Sequence, residues 1–173
     1  ENVSREVISP RPETFDRLDL EAGMMLLKGY RCIRCHPANQ TMIDAVDDRS
    51  TLAPDLSLVK TRLRYEWLYD WILEPQDLAP GTMMPDSFPD RSGRENDSIA
   101  YEMMMAPENG DLRAWYEDHY SKEEMKRNLE DTDWVISRIR DYLWVFEAED
   151  YFERFPWSSP EDGDSNPRTG LAR

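Results

Sequence analysis

The run Cys32-Ile33-Arg34-Cys35-His36 constrains this chain more than any other feature in it. Two thiols at i and i+3 can each add across a vinyl group of one porphyrin. The histidine directly after the second thiol can then reach the iron from the proximal side, which is the pattern of covalent haem attachment. Forty-eight residues further on (84 − 36) the chain reads Pro80-Gly81-Thr82-Met83-Met84-Pro85. This puts a soft thioether on a stiff loop where a sixth iron ligand would sit. A Met/His axial pair raises the reduction potential and suits electron transfer rather than oxygen chemistry.

Two other readings of the cysteine pair have less behind them. A redox dithiol normally comes with a βαβ pattern, and no strand-rich stretch supplies one here. A zinc site needs two more ligands, and His36 and His119 are the only imidazoles in the sequence. His36 adjoins Cys35, which makes a shared tetrahedron awkward. One haem c would use both cysteines and leave none for a disulfide.

Charge narrows the partners. Acidic residues outnumber basic ones by fifteen (36 − 21), and haem propionates would add to that excess. Such a surface disfavours nucleic acid and anionic membranes and favours a redox partner protein with a basic docking patch. Simple solubility outside the cytoplasm is an equal explanation of the acidity. No apolar run approaches the ~18–20 residues that span a bilayer. Because the chain starts at Glu1 rather than Met, a cleaved secretory signal or a lost anchor is expected upstream, with a periplasmic location.

Periodicity predicts an all-α fold with much loop. Residues 1–19 read as an N-terminal extension, with an extended arm through Pro12 and a helix opening near Thr14. Phe15, Leu18, Ala22, Met25 and Leu26 share one face of that helix, which can run to Gly29. Gly23 inside it weakens the helix and implies a close neighbour. The stretch after His36 reads as loop. Trp67, Leu68, Trp71 and Ile72 recur at helical spacing over 65–73, and Pro75 ends that helix. Ser121 and Glu124 form a capping-box signature. Asp131-Thr132-Asp133 opens a strong last helix bearing Val135, Ile139, Tyr142, Leu143 and Phe146. Residues 151–173 read as a flexible acidic tail.

The ordered set CIRCH, APDL, RLRYEWLYDWILEP, PGTMMPDSF and WVISRIRDYLWVF resembles a class I monohaem cytochrome c. The likeness covers about residues 20–87 and 133–148, within a domain expected to span 20–150. It implies terminal helices that cross beside one haem, with Gly23 and Tyr142 as the contact pair. It also implies that Cys32 and Cys35 are the thioether sites, that His36 and Met84 are the axial metal ligands, and that Pro54 accepts a hydrogen bond from His36. Met83 competes for the distal place, as does His119 in a bis-histidine variant. Arg62, Tyr65 and Trp67 fall where similar proteins contact the haem propionates.

The departure from the family lies at about 88–130, a helical insertion before the last helix. Its apolar residues, including Ile99, Met103, Met104, Trp115 and Tyr116, read as the anchors of a partner-binding surface. Met103-Met104-Met105 suggests packing rather than ligation, because consecutive helical positions diverge. The implied activity is one-electron transfer by a carrier that is not itself an enzyme. It would act as a subunit or docked partner of a membrane-associated respiratory oxidoreductase. The competing class is a peroxidase-like or gas-binding haem protein with a labile or absent distal ligand.

Overall fold

The computed structural model describes residues 12–46, 52–88 and 99–156. Among them every regular element is a helix, in keeping with the all-α expectation. Most of the arm expected before Pro12 lies outside the described residues.

Helix α1 spans Arg17–Gly29, and the Asp16 carboxylate caps it by accepting from the amides of Leu18 and Asp19 at 2.8 and 3.2 Å. The boundary expected between residues 19 and 20 therefore falls inside a helix. After the cysteine motif comes α2, Gln40–Asp44, capped by Asn39 in a stretch expected to be loop. A 3₁₀ turn at Leu56–Leu58 leads into α3, Val59–Arg62, and then α4, Tyr65–Leu73. Pro75 ends α4 and also takes the first position of α5, Pro75–Leu78, where its missing N–H costs nothing.

The expected insertion forms α6, Ala100–Met105, α7, Gly110–His119, and α8, Lys122–Glu130. Ser121 and Glu124 close the reciprocal capping box on α8. Helix α9 spans Thr132–Trp144, with Asp131 accepting from the amides of Asp133 and Trp134. It is not the last element, because α10 follows at Ala148–Arg154.

The centre of the fold is the packing of α1 on α9. Ala22, Leu26 and Leu27 of α1 and Val135, Ile136 and Ile139 of α9 belong to one core, all essentially sealed from water. Each such Leu or Ile contributes about 2 kcal/mol by burial. Gly23 makes the contact possible. A Cβ there would lie 2.1 Å from the Arg138 carbonyl oxygen and 2.8 Å from Tyr142 Cβ. Gly23 and Tyr142 thus do meet, and the closest approach is to backbone one turn before Tyr142.

Two expectations need correction. Within the 88–130 segment, the described residues 99–130 are not an exposed anchor surface. Met104 and Tyr116 are fully buried, and Leu112, Trp115, Met125 and Leu129 nearly so. Helices α6 and α7 pack on α1, and α8 packs on α6 and α9. The Tyr116 hydroxyl donates to the Ala22 carbonyl at 3.0 Å. Of the proposed anchors, only Ile99 is exposed. An apolar helical stripe shows that a face must be buried, but not whether its own fold or a partner covers it. The tail also starts later than 151, because Tyr151 and Phe155 are core residues; residues 157–173 lie outside the described set.

Candidate functional site

The cysteine motif begins where α1 stops. Tyr30 caps the helix, and Arg31 turns the chain through the left-handed region at φ 57°, ψ 34°. For a residue with a Cβ that conformation costs about 1–2 kcal/mol. The turn starts a 3₁₀ segment, Cys32–Arg34, in which the Cys35 and His36 amides both donate to the Cys32 carbonyl, at 3.2 and 3.0 Å. With three residues per turn, side chains at i and i+3 eclipse. The two thiols therefore share one side, with Cys32 half-buried and Cys35 exposed.

Two backbone hydrogen bonds stitch the next loop to this turn. The Ala53 amide donates to the Cys35 carbonyl at 3.1 Å, and the Leu56 amide to the Pro37 carbonyl at 3.0 Å. Between them, the Pro54 carbonyl accepts a hydrogen bond from His36 Nδ1 at 2.7 Å. A carbonyl can only accept, so Nδ1 carries the proton, and in the neutral ring Nε2 keeps its lone pair. Burial holds the His36 ring below its usual titration range, with the Pro54 bond opposing. Burial pushes the Cys32 thiol up to about 12.

The methionine loop is fixed by a residue that sequence reading did not single out. The Gln76 side-chain amide, on α5, donates to the carbonyls of both Thr82 and Met84 at 3.1 Å. Gly81 turns the loop at φ 88°, a region that favours glycine. The Thr82 hydroxyl accepts from the Met84 amide at 3.3 Å. This geometry separates the two methionines, since Met83 is 90% exposed and Met84 is half-buried. A glutamine just before a Pro-Gly turn is the only signal that could have pointed to Gln76.

The remaining candidates divide. Trp67 is half-buried and stacks on Trp71, with ring centroids 5.0 Å apart and planes 18° from parallel. Arg62 is exposed. Tyr65 is buried between α4 and α9, with its hydroxyl donating to Asp141 Oδ1 at 2.5 Å. The same Asp141 oxygen accepts from Arg140 Nε and Nη2 at 3.0 and 2.9 Å, and Arg138 pairs with Asp19. His119 is exposed at the end of α7, with its Nδ1 2.7 Å from the Trp115 carbonyl and its ring stacked on Trp115.

Among the described residues, no three His, Cys, Asp or Glu side chains gather as a metal site, and no helix is long and apolar enough to cross a membrane. No family model matches the chain, and comparison with curated proteins and with solved structures gave no significant match.

Proposed function

We propose that this chain is an electron-transfer protein, a monohaem c-type cytochrome holding one haem c through Cys32 and Cys35, with His36 and Met84 as axial ligands. The observation that carries the reading is the hydrogen bond from His36 Nδ1 to the Pro54 carbonyl, made beside a turn that puts both thiols on one side. It presents Nε2 as a neutral donor of fixed orientation, which is what a second-shell partner does for a ligating histidine. The donor set fits a haem: two thiols for the vinyl groups, one imidazole and one thioether. Two buried polar atoms without hydrogen-bond partners, Arg34 Nε inside the motif and the Tyr142 hydroxyl, also fit a pocket completed by a further group.

Bound there, the haem would supply reversible one-electron exchange at its iron. The chain's own contribution is to hold two ligands and exclude water. Trp67, Trp71 and Leu56 supply apolar cover, and Gln76 keeps the methionine loop in shape. A redox dithiol is disfavoured, because such a pair needs a ready thiolate and burial pushes the Cys32 thiol the other way. An open-iron enzyme or sensor would need a distal acid. His119, the one other histidine, is tied to its own helix.

The partner we infer is a redox protein with a basic docking patch, within or beside a membrane-associated respiratory complex outside the cytoplasm. From Tyr65 to Phe88 the chain carries Glu66, Asp70, Glu74, Asp77 and Asp86 and no Lys, Arg or His. Met83 projects from this acidic stretch.

Mass spectrometry of the denatured native-source protein, with an optical spectrum of the oxidised form, tests the reading. The expected result is one added haem and a weak far-red band from methionine–iron ligation. A bare polypeptide mass rejects the reading, and a high-spin spectrum rejects the ligand set.

A further inference from the structure

Helix α10 lies beyond the part of the chain that resembles the family, yet it is built into the core. Tyr151 is 3% exposed. Its ring centroid lies 6.0 Å from that of Phe146 and 5.3 Å from that of Phe155, and Phe146 in turn meets Tyr142 edge-on at 5.8 Å. One end of this aromatic row is therefore anchored at the contact of Gly23 with Tyr142. The other end is anchored near the cysteine motif, where the Lys28 ammonium lies 5.4 Å above the Phe155 ring, four residues before Cys32 (32 − 28). Burial pushes the Tyr151 phenol upward.

We propose that Tyr151 is a positioning residue, a flat cover held by α10 over the Cys32 side of the haem pocket that keeps water from that edge. This rests on the haem reading given above. It follows from placement: the row Tyr142–Phe146–Tyr151–Phe155 runs from the α1/α9 crossing to the end of α1, and Cys32 packs against the same core. A ferric haem carries one more positive charge than a ferrous one. A dry, apolar surround therefore favours the reduced form and raises the potential. The ring does this work and the hydroxyl does not, so phenylalanine should substitute for tyrosine.

The test uses the full-length holoprotein and three variants, Tyr151→Phe, Tyr151→Leu and Tyr151→Ser, read by reduction potential and by the methionine–iron band. The Phe variant should match the parent, and Leu and then Ser should shift the potential progressively downward with the band retained. If Ser does not fold, the step from Phe to Leu alone decides. Equal potentials in all folded variants would overturn the proposal. A shift in Phe as large as in Leu would overturn it by assigning the effect to the hydroxyl. Loss of the methionine band in Leu would overturn it by making α10 a support for ligation. The parent protein separates this proposal from the reading beneath it: haem absent from the parent sinks both, whereas a normal parent with unresponsive variants sinks this one alone.

Discussion

His36 Nδ1 and the Pro54 carbonyl oxygen stand 2.7 Å apart, eighteen residues distant in sequence, held there by backbone bonds on either side of the proline. The contact is made by main chain rather than by a second side chain. No substitution of Pro54 removes the acceptor directly, and the orientation of the imidazole is tied to the path of the whole 53–56 loop.

The two methionines of the loop should behave differently. Met84→Ala should abolish the methionine–iron band and lower the potential, while Met83→Ala should leave the band in place. Near-complete exposure of Met83 is the reason. The reverse pattern would transfer the ligand role to Met83.

Gly23→Ala should be among the most damaging single-methyl additions in this chain. The new Cβ meets the Arg138 carbonyl, which can move only if α9 moves, and overpacking of this kind costs about 3 kcal/mol. Gly29→Ala meets the terminal methyl of Met103, which can swing aside, and should cost less than half as much. Urea unfolding of the two variants compares them directly, and equal losses would refute the argument.

Segment 99–130 should prove indispensable to folding. Replacing it with a short Gly/Ser linker strips the cover from α1, and the expected result is loss of the cooperative thermal transition seen by circular dichroism. Tyr116→Phe is the milder probe. It removes the bond to the Ala22 carbonyl and should cost about 1 kcal/mol. A linker variant that melts normally would return the segment to the role of partner-binding surface.

Asp19 should respond to pH against the usual carboxylate trend. Burial raises its titration above the ordinary 3.8, outweighing the attraction of Arg138. In the window between 3.8 and the raised value the folded state holds more protons than the unfolded one, so this group's contribution to stability falls as pH rises. Asp19→Asn should therefore gain on the parent through that window and then hold level. Denaturant midpoints across the acid range measure this, and a parent that gains on the variant would mean that Arg138 dominates.

Helix ends were legible in the sequence because caps are local. Asp131 and the Ser121–Glu124 pair stand where spacing put them, and the apolar spacing of α4 matched its bounds. Helix α2 was not legible, since five residues hold too little of a period to register. The charged cluster of Asp19, Arg138, Arg140 and Asp141 was missed for another reason. Adjacent charges on a helix resemble a solvated face, and only the packing of α1 and α4 on α9 buries Arg140 and Asp141. At the site, Cys32, Cys35 and His36 could be picked out because the motif is contiguous, and Pro54 only through the family resemblance of its stretch. Gln76 and the commitment of Tyr65 to Asp141 could not, because both depend on which side chain the folded chain brings opposite.

The contact of Gly23 with Arg138 spans 115 residues of chain (138 − 23). Contacts of such separation raise the contact order of a helical protein, and loop closure over such a span slows folding. Helix α1, at thirteen residues, is too short to persist alone in water. During synthesis it has no packing partner until α6 and α7 leave the ribosome, and its main partner, α9, arrives later still. The stretch from Cys32 to His36 therefore spends its early life on an open chain, where both sulfurs are reachable, and Cys32 is partly withdrawn from solvent only once the core it packs against has formed.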